Sequence, residues 1–353
     1  MRARVGILGF AHGHVGAYCR RWLDHPAMGV EPVVGWDHDK DRLDTAVESY
    51  GIEACGSADE LVGLSGLDAV AIGAETALHA EMVEKAAAAG RTIILQKPMA
   101  LTLPEADRIV AAVEMSGVPF TMAWQMRADP QNLKIQELLQ SGAMGRIFMV
   151  RRRHGLQVCL NPAFADTWHV SRRWNRDIWA DDAAHPIDFV YWLFGLPESV
   201  TAEMESLYDP RMPMDNGVAL FRYRGGPLVE VSCSFTNNAC ENTTEIIAEN
   251  GSIVQNYGDA PSCNVPRPPD APGLKWFIAE KGEWINAGIP TPSGHGERIA
   301  NLAGPLAEFI RGERGPVADA REGRDALRML LACYVSSREG RRVSPDDPGI
   351  DSV

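Results

Sequence analysis
Short apolar runs alternate with longer stretches in which apolar positions recur at helical spacing. "RVGILGF" reads as a buried strand, and "VGAYCRRWLDHP" as a helix stopped by Pro26. "VEPVVGWD" and "DKDRLDTAVESYG" repeat the pair, followed by the strand "LDAVAIGA" and the helix "ALHAEMVEKAAAAG". "RTIILQKP", "TLPEADRIVAAVEMSG" and "VPFTMAW" complete the series. Strands that are apolar throughout, alternating with helices, predict a parallel sheet covered on both faces. Near residue 123 the pattern changes. After one more helix, "PQNLKIQELLQSGAMG", come longer strand-like runs: "GRIFMVRRRHG", "SVTAEMESLY", "GVALFRYRG", "LVEVSCSF" and "TTEIIAENGSIVQNYG". Turn residues separate them at hairpin spacing, which predicts a largely antiparallel sheet. The Pro- and Gly-rich "SCNVPRPPDAPG" reads as a loop.

The expected fold is therefore α/β: an N-terminal parallel-sheet domain of Rossmann type over 1–122, then an α+β domain over 123–353 with a large, open, mostly antiparallel sheet. Helices at 296–311 and 319–340 are expected to pack back toward the first domain. The open sheet has a face that needs covering, and a second copy of the chain is the expected cover, as a homodimer or homotetramer. With 353 residues, 45% of them hydrophobic, the chain can build two cores. A net charge of -13 and a pI of about 5.2 argue against nucleic acid as a partner. No apolar stretch is long enough for a membrane span, and the start lacks a secretory signal. The 7 scattered Cys form no CxxC pair, which predicts reduced thiols and a cytoplasmic setting.

The first strand ends in "GFAHGH". A dinucleotide turn wants glycines for close approach of the pyrophosphate to a helix N-terminus. Gly9 fits, while Ala11 and His14 stand where further glycines would be. Asp37 ends the second strand, placed to accept hydrogen bonds from an adenosine ribose and to favour NAD over NADP. Nearby Lys40 and Arg42 weaken that preference and keep NADP open. His12 and His14 either face the cofactor or substrate, or bond to backbone.

Further motifs follow in a telling order: "GAETALH" at 73–79, "QKP" at 96–98 and "DDAAHPID" at 181–188. With "GFAHGH" and Asp37, they resemble the glucose–fructose oxidoreductase / inositol dehydrogenase family, Gfo/Idh/MocA. The resemblance runs over nearly the whole chain. It implies an NAD(P)-dependent oxidoreductase acting on a carbohydrate or polyol. It further implies Lys97 as the active-site lysine, His185 as the catalytic histidine, and Asp181 and Asp188 as its flanking aspartates. His79 falls on the histidine of a TPN-like segment, and Arg127 and Pro130 on residues that follow the last Rossmann strand. The departures are Gln96 for glutamate, Ala11 and Ala183 for glycines, and Glu75 and Thr76 for Pro and Asn. They point to a distinct substrate subgroup. The expected cofactor contacts are Gly9, Phe10, Ala11, His12, His14, Val15, Asp37, Arg42, Ala74, Glu75, His79, Gln96 and Lys97.

Oxidising a secondary alcohol to a ketone requires a hydride acceptor and a base for the hydroxyl proton. His185 suits the second role because imidazole titrates near neutrality. Asp181 lies four residues before it and Asp188 three after, so one helix brings all three to a shared face. Asp181 either orients the imidazole or grips a sugar hydroxyl. Lys97 either stabilises alkoxide character or is itself the base. The alternative for the motif is structural: Asp181 or Asp182 as an N-cap, with Pro186 in the first turn. The expected substrate pocket comprises Lys97, Trp124, Arg127, Arg153, Trp168, His169, Asp181 and His185. No compact ligand spacing supports a metal, and hydride transfer needs none. Two other functions share these residues: internal recycling of bound NAD, in glycoside hydrolysis or sugar–sugar oxidoreduction, and non-catalytic nucleotide sensing.

Overall fold
The computed structural model describes residues 2–239, 242–256, 272–292 and 294–353. Cys240, Cys263 and all but the last two residues of the "SCNVPRPPDAPG" loop lie outside the described residues. Two compact units form. One comprises Met1–Gln125, Arg173–Asn175 and Arg298–Leu327; the other comprises Met126–Arg172, Arg176–Glu297 and Arg328–Val353.

In chain order the first unit contains β1 (Ala3–Leu8), α1 (Gly13–Asp24), β2 (Val30–Trp36), α2 (Lys40–Tyr50), β3 (Glu53–Ala54) and α3 (Ala58–Gly63). Then come β4 (Ala69–Ile72), α4 (His79–Ala88), β5 (Thr92–Leu95), α5 (Leu103–Ser116) and β6 (Phe120–Met122). The strands pair in parallel in the order β3-β2-β1-β4-β5-β6. Val5, Ile7 and Leu8 of β1 and all of β4 are inaccessible to solvent, as helices on both faces require. The order reverses between β1 and β4. Loops leaving such a pair diverge into a crevice, the usual ligand site of these sheets. Local chemistry starts the helices: Asp39 caps α2, Ser57 caps α3, and Thr102 forms a capping box with Glu105 at α5.

The second unit opens with α6 (Pro130–Gln140), capped by Asp129, and β7 (Ile147–Gly155). After α7 (Ala184–Phe194) come β8 (Ser199–Glu205), β9 (Asn216–Arg222), β10 (Leu228–Ser234), β11 (Thr243–Ala248), β12 (Gly251–Asn256), β13 (Leu274–Ile278) and β14 (Glu283–Asn286). They form one sheet, β14-β13-β12-β11-β7-β10-β9-β8, antiparallel except where β7 lies parallel to β10. Side chains alternate across it. Val150, Val229 and Val231 are fully buried on the face that receives α7, while Val218, Leu220 and Leu228 stay exposed on the other.

The expected helix over 296–311 is broken at Leu302 into α8 (His295–Asn301) and α9 (Ala303–Ile310); α10 (Ala320–Glu339) follows. Trp22 Nε1 donates to Ala303 O at 2.9 Å, which seats α9 against α1 inside the first unit. The short β3, α3, β13 and β14 escape a reading by periodicity because each spans too few residues to show one. Five cysteines, Cys19, Cys55, Cys159, Cys233 and Cys333, are free and buried. Among the described residues no helix is long and apolar enough to cross a membrane.

Candidate active site
In the first unit the turn after β1 is held against the turn after β4. Gly9 has φ +87°, and a Cβ there would lie 2.4 Å from Ala74 Cα, so no side chain fits. His12 N donates to Gly73 O at 2.8 Å. Val15 packs so closely on Gly73 that a Cβ on that glycine would sit 2.3 Å from its Cγ2. The Val15 side chain, expected at the cofactor, thus belongs to the core. At Gly13, the first residue of α1, a Cβ would meet nothing within 4 Å. This open helix N-terminus is where a pyrophosphate would sit, met by backbone N–H groups and the helix dipole. His12 is buried, with its ring edge-on to His14 at 4.3 Å. Gln96, also buried, donates from Nε2 to Tyr18 OH at 3.0 Å, and its Oε1 has no partner. The open cradle and the orphaned acceptor both fit a bound dinucleotide.

Asp37 differs from expectation. Its side chain is fully covered and both oxygens are taken. Phe10 N donates to Oδ2 at 2.7 Å and Asp39 N to Oδ1 at 2.8 Å. Arg42 donates Nε to Oδ2 at 3.0 Å and Nη2 to Oδ1 at 2.7 Å. A carboxylate has about four lone-pair sites, so no free acceptor is left for a ribose while Arg42 stays in place.

Lys97 follows β5 and is 2% exposed; its peptide bond to Pro98 is cis. His79 supports this segment from below. Its Nδ1 lies 3.0 Å from Pro98 O and 3.2 Å from Met99 O, and its Nε2 lies 3.1 Å from Ala74 O. Burial pushes the imidazole down to about 4, against the carbonyls that favour its charged form. His79 sits between two loops, and as a neutral ring it has one N–H, given either to Pro98 O and Met99 O or to Ala74 O. It was expected at the cofactor; its full burial among these backbone carbonyls makes it a packing support for the lysine loop.

In the second unit the "DDAAHPID" segment is neither a simple cap nor a regular helix. A single π-turn, Trp179–Ala183, precedes α7, and neither Asp181 nor Asp182 caps it. Asp177 does that work: its Oδ1 accepts from Ala180 N at 3.0 Å and from Tyr334 OH at 2.5 Å. Burial pushes the Asp177 carboxyl up to about 6, opposed by these hydrogen bonds. Asp182, three residues before His185, comes near two imidazoles. Asp182 Oδ1 lies 3.8 Å from His185 Nε2 and 4.0 Å from His154 Nε2. Asp181 Oδ2 pairs with His169 Nδ1 at 3.0 Å, and the His169 ring stacks between Trp168 at 4.1 Å and Phe164 at 5.5 Å. Asp188, one turn beyond His185, accepts from Arg127 Nε at 3.0 Å and Nη2 at 2.7 Å, both side chains buried.

Two expected pocket residues take other places. Arg127 turns its fork onto Asp188, where it neutralises a buried carboxylate. Arg153 shares β7 with His154 but points the other way, because successive strand residues alternate faces. It lines a cavity of about 400 Å³ with Glu203, Ser232 and Ser234, to which His154 also contributes, while the His154 ring lies 6.2 Å from that of His185. Trp124 is buried at the end of the first unit's last strand. Sequence reasoning missed Asp177 and the Asp182–His185 approach. The two-residue alternation along β7 was the available signal for separating Arg153 from His154.

Comparison with known proteins decides the family. An oxidoreductase family with an NAD-binding Rossmann fold matches residues 3–123, and the GFO/IDH/MocA C-terminal domain matches residues 132–254. The chain belongs to the Gfo/Idh/MocA family. It is an NAD(P)-dependent oxidoreductase, as the motif order implied. Similar members of the family include D-apiose dehydrogenase of Paraburkholderia graminis, 27% identical over 97% of this chain and 88% of the relative. Myo-inositol dehydrogenase Hyg17 of Streptomyces leeuwenhoekii is 26% identical over 93% of this chain and 96% of its own. Among solved structures, levoglucosan dehydrogenase in complex with NADH and levoglucosan shares the fold with a TM-score of 0.83. It is 20% identical, covering 98% of this chain and 99% of the other.

Proposed function
We propose that this family member oxidises a secondary hydroxyl of a sugar, anhydrosugar, inositol or related polyol to a ketone. NAD supplies the hydride acceptor when bound. The carrying observation is the pair of histidine–carboxylate contacts around α7, Asp182 with the buried His185 and the buried Asp181 with His169. His185 Nε2 takes the hydroxyl proton, and Asp182 stabilises the imidazolium that results. The His169–Asp181 pair beside Trp168 offers hydrogen bonds and an aromatic plane, the two features a polyol presents surfaces for. Lys97, held by the braced loop after β5, places an ammonium for the developing alkoxide. The named activities of the apiose and inositol relatives support this substrate class.

The test is NADH formation by the purified protein over a panel of inositols, aldoses, anhydrosugars and sugar acids. One or more substrates should respond. His185→Asn should cut turnover by about 10²–10⁴-fold, the usual worth of a general base. Lys97→Met should lower turnover far more than NADH affinity. Undiminished turnover in either variant would overturn its assignment.

A further inference from the structure
Glu75 lies just after β4, 3% exposed, and reaches the corner where Asp37 ends its strand. Its Oε1 accepts from Arg42 Nη1 at 2.8 Å. Its Oε2 lies 2.9 Å from His38 Nε2, and an acceptor-only carboxylate at that distance calls for the N–H there, although Arg42 Nη2 also lies 3.3 Å from the same nitrogen. The His38 ring stacks on Trp174 at 5.3 Å, within the same unit. Arg42 is thus clamped by two carboxylates. Asp37 takes Nε and Nη2, and Glu75 takes Nη1. The two carboxylates and the one guanidinium carry one net negative charge between them.

We propose that Glu75 is the residue that sets nicotinamide cofactor preference, by holding Arg42 closed on Asp37. The inference rests on the NAD-dependent reading above. An arginine at the end of the second strand of such a sheet is the ordinary receptor for a 2′-phosphate. Here both edges of its fork are already neutralised, so a 2′-phosphate meets a negative site with no free donor pair. A ribose diol needs acceptors instead. Asp37 is saturated, whereas each Glu75 oxygen meets one donor and keeps one lone-pair site. Glu75 therefore takes the part that sequence position assigned to Asp37, and excludes the phosphate by charge and by occupying the arginine.

Equilibrium binding of NADH and NADPH, followed by protein fluorescence, tests this without turnover. The wild type should prefer NADH. Glu75→Gln keeps the shape and removes the charge; its amide oxygen can still accept from Arg42 Nη1, but a neutral amide holds the guanidinium less tightly than a carboxylate, so a 2′-phosphate can compete for that donor. The NADPH/NADH affinity ratio should rise roughly ten- to a hundredfold, the worth of one charge-assisted hydrogen bond gained. Adding Arg42→Ala to Glu75→Gln should abolish that rise. Arg42→Ala alone should hold or improve NADH binding, by opening Asp37, and should not improve NADPH binding. An unchanged ratio in Glu75→Gln with NADH still bound overturns the clamp and leaves the NAD reading standing. A gain in NADPH affinity on losing Arg42 overturns it independently. Wild-type protein that binds neither nucleotide overturns the cofactor reading and the clamp together.

Discussion

Replacing Arg127 with Met removes the cation from a pair whose side chains are 2% and 0% exposed. Asp188 would keep its charge with two hydrogen bonds gone, in a helix that also carries His185. Water cannot reach it to compensate. Breaking a buried pair from one side typically costs about 3–5 kcal/mol, most of it the stranded charge rather than the lost attraction. For a unit of this size each kcal/mol moves the midpoint by about 2–4 °C, so Arg127→Met should lower it by roughly 6–20 °C. Replacing both partners, Arg127→Met with Asp188→Leu, removes the charge as well as its counterion. The double variant should therefore recover much of the loss, with a favourable coupling of about 0.5–3 kcal/mol. Thermal unfolding followed by circular dichroism, with steady-state kinetics alongside, measures both terms. If Arg127→Met melts like the wild type and only raises KM, the guanidinium reads substrate and the packing argument is wrong. Strict additivity in the double variant would equally refute it.

Two further outcomes follow from buried titrations. His79 is held well below its ordinary 6.5, at about 4, so the unfolded chain takes up a proton that the native loop refuses over that window. Relative to His79→Gln, the wild type should lose about 3 kcal/mol as pH falls from 6.5 to 4; a constant difference in midpoint across that range would remove His79 from the account. Asp177 has the opposite sign. Its carboxyl is raised from 3.8 to about 6, so its contribution is complete below pH 3.8 and is lost as pH rises through 6. Asp177→Asn keeps an acceptor for Ala180 N and should gain on the wild type between pH 4 and 7, by up to about 3 kcal/mol. No gain would mean that the Tyr334 hydrogen bond, rather than burial, governs that carboxyl.

The order of elements in the first unit was legible in the sequence because its signals are local. A fully buried strand must be apolar throughout, an amphipathic helix must repeat at its own turn, and Gly9 marks a turn with no room for a side chain. The candidate catalytic segment was legible as a segment: "DDAAHPID" announced a histidine among carboxylates, and "QKP" a lysine at a strand end. Their partners were not. Asp37 and Glu75 share Arg42 across the sheet, His169 reaches back to Asp181 through a stack of rings, and Arg127 finds Asp188 from another element entirely. Such pairings are set by which loops the sheet order brings together, and sequence distance carries no information about that. The segment before α7 shows the same limit at short range. Helical spacing allows both Asp181 and Asp182 on the side of His185, and only the fold shows that Asp182 Oδ1 lies 3.8 Å from its Nε2 while Asp181 pairs with His169. The sequence determined which chemical groups the protein possesses and the elements that carry them. The tertiary structure decided which charge neutralises which, because a buried carboxylate is stable only beside whatever donor the packing leaves within reach.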